Sequence, residues 1–96
     1  MNDINKLLTE VKEYLNYTWK DTARDTRLVG YIKSSIDYLK EVANADIDLE
    51  TDYLARDLFF NRVLYMNSQA LDDFATNYNS YLNELKIKYE NYDTEN

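Results

Sequence analysis

Histidine, cysteine and proline are absent from this 96-residue chain, and Gly30 is its only glycine. Without cysteine, disulfides and thiolate metal sites are excluded; without histidine, so are an imidazole ligand and a side chain that titrates near neutral pH. The breaks between elements must then be marked by Asn, Asp, Ser and Thr, which compete with helical hydrogen bonds and cap helix ends. That composition points to helices, because a sheet fold of this size usually needs glycine-rich turns and regular apolar alternation. No segment approaches the roughly 20 apolar residues of a membrane span, and the start MNDINKLLTEVKEY carries charge throughout, so a cytosolic protein with no membrane partner is expected.

What is present is acid, tyrosine and helical periodicity. The formal charge is -7, which argues against clamping DNA or RNA phosphates through clustered Lys and Arg, although an acidic wall still lets a polyanion slide past. The charge is unevenly placed: Glu41 to Asp57 holds six acids against Arg56 alone, whereas Lys20 to Lys40 holds five bases and three acids. Neighbouring segments of opposite sign suit a surface that meets a copy of itself head to tail. A chain this short makes one domain with a thin core, burying about 60 to 65% of its unfolded surface.

The predicted fold class is all-α: a compact bundle of four or five helices spanning residues 1–96, with an acidic loop between the second and third and a tail that frays over 91–96. The first helix runs from Ile4 to Leu15, with Leu7, Leu8, Val11, Tyr14 and Leu15 on one face. NYTWKD interrupts it. Asp21 or Thr22 caps the second helix, Thr22 in a T-x-x-D box with Asp25, and Leu28, Ile32, Ile36 and Leu39 continue its stripe to about Asn44. DYLARDLFFNRVLYM is apolar around much of its circumference and is expected to be the central, most buried helix. After a break at Asn67 to Gln69, Leu71, Phe74, Tyr78, Leu82, Leu85 and Tyr89 form a last stripe, with Asn77, Asn79 and Ser80 able to split it.

NADIDLETD, residues 44–52, alternates oxygen-bearing side chains as an EF-hand calcium loop does. The template fails where it matters: its sixth position is Leu49 in place of glycine, and its twelfth is Ala55 in place of the bidentate glutamate. Ile47 and Leu49 are expected to tuck under the core while Asp46, Asp48 and Glu50 face water, with Asp48 or Thr51 capping the third helix. No cofactor and no metal are expected.

Ten tyrosines are many for this length. Tyr14 and Tyr78 belong to core stripes, whereas Tyr31, Tyr53 and Tyr81 fall outside them and suit a surface packed on another protein. Trp19, in the first loop, closes the end of the core or anchors a partner. Arg24, Arg27, Arg56 and Arg62 lie on helices close to acids and read as surface ion pairs. Gly30, inside the second helix, either lets another backbone approach or is tolerated at about 1 kcal/mol. Asp72 and Asp73 point about 100° apart on a helix and cannot act as a carboxylate dyad.

VKEYLNYTWKD at Val11 to Asp21, LVGYIKSSIDYLKEVANADID at Leu28 to Asp48 and ARDLFFNRVLYMNSQALDDFATNYNSYLNELKIKY at Ala55 to Tyr89 together resemble the small helical head-to-tail connector (adaptor) proteins of long-tailed bacteriophages. The resemblance covers nearly the whole chain. It is carried by Tyr14-Leu15 before Trp19, by the acidic turn leading into Ala55-Arg56-Asp57-Leu58-Phe59-Phe60, and by Asn67-Ser68-x-Ala70-Leu71-x-Asp73-Phe74. It implies a structural virion protein at the head-tail interface, made in the host cytoplasm, with no enzymatic activity. Copies would form a ring of roughly a dozen under the portal protein, extend the DNA channel and dock a stopper or tail-completion protein, and an isolated copy would be monomeric where ring closure requires the portal as template. DNA would be passing cargo only. The resemblance points to Trp19, Arg24, Arg27, Asp46, Asp48, Glu50 and Asp52 as candidate interface residues. The competing reading is a small acidic regulatory or DNA-mimic module, motivated by the acids from Glu41 to Asp57; an enzyme comes a distant third.

Overall fold

The computed structural model describes the backbone of residues 2–18 and 20–95 and side chains as far as residue 90. The described residues are all-helical in their regular structure, with five helices: α1 (Ile4–Tyr14), α2 (Thr22–Ala43), α3 (Tyr53–Asn67), α4 (Leu71–Asn77) and α5 (Asn79–Glu95). Trp19 and the tail side chains from Asn91 onward, both the subject of expectations above, lie outside the described residues.

Local capping sets most of these ends. The Asp3 carboxylate accepts the Lys6 N–H at the start of α1, and Asp21 accepts the Arg24 N–H at the start of α2, 3.1 Å away. Asp21 is therefore the cap of α2, and Thr22 its first helical residue. With one glycine in the chain, asparagine and glutamine supply the left-handed turns: Asn16 (φ 64°), Asn44 (φ 54°) and Gln69 (φ 58°) reverse the chain after α1, α2 and α3. Across each reversal a backbone N–H returns to a carbonyl five residues back, from Tyr17 to Lys12, Ala45 to Lys40 and Ala70 to Tyr65. The last stripe does split: Tyr78 closes α4 by donating its N–H to Phe74 and opens α5 by accepting from Leu82.

The hydrophobic core draws on all five helices. Leu7 and Val11 of α1, Leu28, Ile32 and Leu39 of α2, Leu58, Phe59 and Val63 of α3, Phe74 of α4 and Leu82 and Leu85 of α5 are buried in one cluster, which Ile47 and Leu49 join from the connection. α2 packs against α1, α3 and α5, and α3 against all four other helices. α3 is thus central, but it is not apolar all round: its buried side is Ala55, Leu58, Phe59, Arg62 and Val63, and Tyr53 and Asp57 stand opposite in solvent. Tyr14 also departs from expectation. It is 51% exposed and stacks one face on Phe60 at 5.4 Å, at the edge of the core.

Gly30 sits exposed in the middle of α2, and a Cβ built on it would meet nothing within 4 Å. Among the described residues no other element approaches the position. Gly30→Ala is therefore expected to stabilise the isolated protein by about 0.5–1 kcal/mol, through helix propensity and a less flexible unfolded chain. A rise of a few degrees in Tm would agree; a fall would show a constraint at this position that the fold does not contain.

Candidate functional site

The connection 44–52 is built from opposed side chains. Ile47 and Leu49 are buried while Asp46, Asp48 and Glu50 are exposed, the alternation expected from the sequence. Its backbone is held by a residue far away in sequence: the Asn2 side chain donates to the Ile47 carbonyl and accepts from the Leu49 N–H, both at 2.9 Å. Two backbone groups beside the core are satisfied in this way without a strand partner.

The acids of this segment are mostly engaged inside the molecule. Asp46 pairs with Lys40 at 3.2 Å, and Glu50 pairs with Lys6, whose ammonium it holds above its usual pKa. Asp48 accepts the Glu50 N–H, and its carbonyl accepts the Asp52 N–H. Asp52 is 6% exposed and is the cap of α3, in place of Asp48 or Thr51: one oxygen accepts the Ala55 N–H at 3.0 Å, the other the Tyr89 hydroxyl at 2.7 Å, and Lys88 lies 3.1 Å away. Burial pushes the Asp52 carboxyl up, but the three donors together outweigh it and hold it below its ordinary value. Tyr89 responds in the opposite sense, its hydroxyl pushed up by burial and by the carboxylate it serves. Among the described residues no group of three or more His, Cys, Asp or Glu is placed to hold a metal ion.

A second polar cluster joins α2 to α3. Arg62 was expected in a surface ion pair; it is 8% exposed instead, and among the described residues no carboxylate lies within 4 Å of it. Its guanidinium donates to the hydroxyls of Ser34 and Ser35, at 3.2 and 3.0 Å, and stacks over Tyr38 at 4.4 Å. Burial lowers its pKa, yet arginine stays charged at any physiological pH. Neutral hydroxyls and a ring face replace an acid, so the cluster fixes the register of the two helices.

Two exposed faces remain. On the side of α3 turned away from α2 stand Tyr53 (74% exposed) and Asp57; the neighbouring flank of α5 adds Tyr81 (51% exposed), packed on Tyr78 at 6.0 Å. Leu54, Asp57, Asn61, Tyr78 and Tyr81 line a shallow depression between these helices. Tyr78 is locked beneath it, donating its hydroxyl to Asn61 at 3.0 Å. On the side of α2 turned away from α3, Arg27, Gly30 and Lys33 are exposed.

Of the residues the sequence put forward, Arg27, Asp46, Asp48 and Glu50 are exposed, Asp52 is buried, and Arg24 is half-buried over the Tyr17 ring at 4.3 Å. The structure gathers Asp46, Asp48 and Asp52 around one depression with Lys88 and Tyr89, and sets Arg27 apart on the outer side of α2. Tyr53 and Tyr81, read as surplus to the core, are indeed outside it, whereas Tyr31 packs half-buried against it. The sequence did not reveal the Asn2 clasp or the Arg62 cluster; the adjacent Ser34 and Ser35 on a core-facing stretch were the one available sign of the latter. Among the described residues no helix is long and apolar enough to cross a membrane. No family model matches the chain, and neither a curated protein nor a solved structure matches it.

Proposed function

We propose that this chain is a structural assembly protein of the phage head-to-tail connector kind. Copies form a ring below the portal, the ring extends the DNA channel, and its far side docks a stopper or tail-completion protein. The observation that carries the reading is the pair of exposed faces on opposite sides of the α2–α3 layer, one aromatic and acidic, the other basic over Arg27 to Lys33. Such a pair suits a subunit that meets its neighbour on both sides. The order of sequence features from Val11 to Tyr89 supplies the connector identity. A net charge of -7 fits a channel wall that repels the passing genome and does not hold it.

The regulatory or DNA-mimic reading is weakened by its own motivating segment. Asp46, Glu50 and Asp52 are each paired with a lysine, so the run of acids from Glu41 to Asp57 presents less free charge than its sequence implies. Co-expression with the portal protein of the same genome separates the two. A second ring beneath the portal in electron micrographs is expected. Heads that keep their DNA and join tails normally without this protein would refute the connector role, and recovery of a nuclease or repressor without portal would favour the alternative.

A further inference from the structure

We infer that copies of this chain join head to tail through two particular faces: the outer side of α2 around Arg27, Gly30 and Lys33 in one copy, and the outer side of α3 and α5 around Tyr53, Asp57, Tyr81 and Glu84 in the next. The inference deepens the connector reading by naming the subunit contact.

Charge complementarity is the first argument. Among the described residues Arg27 and Lys33, like Lys20, Arg62 and Lys86, have no carboxylate within 4 Å, whereas Lys6, Lys12, Lys40, Arg56 and Lys88 all have one. Asp57 and Glu84 are likewise exposed with no described base within 4 Å. Glu84 follows Tyr81 by three residues and shares its flank of α5, so acid and ring stand together as they do at Tyr53 and Asp57. A guanidinium or ammonium is matched by both partners: the carboxylate gives a charge-assisted hydrogen bond and the tyrosine face a cation–π contact.

Shape is the second argument. Gly30 lies between Arg27 and Lys33 with open space where a side chain would project. This bare patch lets a ring as large as Tyr81 come close to the α2 backbone while the flanking cations reach past it. Tyr81 already stands proud of its own surface, half exposed.

Placement is the third argument. Because the buried side of α3 packs on the buried side of α2, the two faces lie on opposite sides of the domain. One copy cannot satisfy both with a single partner, so the contact is heterologous and propagates until rotation closes a ring. A competing self-match exists, since α2 turns acidic farther along at Asp37 and Glu41 and two antiparallel α2 helices would also pair in charge. That contact would bury mainly charged and small side chains and leave Tyr53 and Tyr81 in water, against the aromatic enrichment of stable interfaces.

The absence of native cysteine makes the test direct. Gly30→Cys and Tyr81→Cys variants are mixed at millimolar concentration with a thiol oxidant, and the disulfide-linked species are resolved by mass. The mixed Gly30–Tyr81 dimer is expected to exceed both homodimers several-fold. Arg27→Glu with Lys33→Glu should abolish it, and placing Asp57→Lys with Glu84→Lys in the partner should restore it; circular dichroism checks that each variant is folded. A predominant Gly30 homodimer would establish the two-fold α2 contact and overturn the proposal, as would no linked species at all. A chain that binds portal rings without this crosslink keeps the connector reading and loses this interface; a chain that crosslinks but ignores the portal does the reverse.

Discussion

Truncating Phe59 to alanine should lower the unfolding free energy by about 4 kcal/mol, the range of phenylalanine truncations in close-packed cores. The ring is fully buried on α3, packed edge-on against Phe60 with centroids 5.1 Å apart, in the cluster that all five helices share. Truncation removes the transfer free energy of the ring and leaves a cavity that the surrounding helices refill only in part. A domain of this size is stable by roughly 5–14 kcal/mol, so the loss is a large share of the total. Urea titration followed by circular dichroism measures it: the midpoint should fall while the slope stays constant. A loss below about 2 kcal/mol would mean that α3 relaxes into the space and that the core is less tightly specified than its burial implies.

Asp52→Ala should be the next most damaging change, costing about 2–4 kcal/mol. The substitution removes a helix cap, typically about 1 kcal/mol, and withdraws the acceptor from the Tyr89 hydroxyl, where a charged hydrogen bond contributes about 1.5–3 kcal/mol. The two contributions belong to one side chain and are not additive. The pH dependence follows from the directions of the shifts. Asp52 is held below its ordinary value, so its contribution is complete above the usual aspartate range and is lost as pH falls through the depressed value. The Tyr89 hydroxyl is raised, so its contribution is complete below the ordinary tyrosine value and is lost only as pH rises through the raised one. Between about pH 5 and 9 the pair should therefore be insensitive to pH. Asp52→Asn, which keeps one oxygen for the Ala55 cap but turns an amide NH2 toward the Tyr89 hydroxyl, should retain more stability than Asp52→Ala and flatten the acid limb of the profile. An acid limb in the Asn variant as steep as in the parent would show that other carboxylates govern acid unfolding.

The helices were legible because their causes are local. Alternating polar and apolar residues at helical spacing marked the buried stripes, and Asp21 beside Thr22 marked the start of α2. At α3 the same logic failed by a few residues, since Asp48, Glu50, Thr51 and Asp52 all precede the helix and each has an oxygen to offer. The structure chose Asp52 because Asp48 is already occupied by its own turn, taking the Glu50 N–H on its side chain and the Asp52 N–H on its carbonyl. Tyr14 was assigned to the core because it continues the Leu7 and Val11 stripe, but it lies at the edge of that arc, where Phe60 covers one ring face and water the other.

Arg62 was the larger misreading. A charged residue on a helix reads as solvated, and only the arrival of α2, with Ser34, Ser35 and Tyr38 at the right height, makes burial tolerable. The acids of the 44–52 segment show the converse. In sequence they are four acids with no base among them, and their lysine partners at positions 6, 40 and 88 come from three different helices.

The sequence by itself determined that this protein is helical, roughly where each helix begins and ends, and which residues of the connection turn inward, because backbone hydrogen bonding, capping and amphipathic spacing act over a few residues. Only the tertiary structure decided which charges are spent within the fold and which are left to face a partner. Three of those pairings, Lys6 with Glu50, Arg56 with Glu10 and Lys88 with Asp52, join residues 36 to 46 positions apart, and the energy of a charge is set by what the folded chain brings within a few ångströms of it.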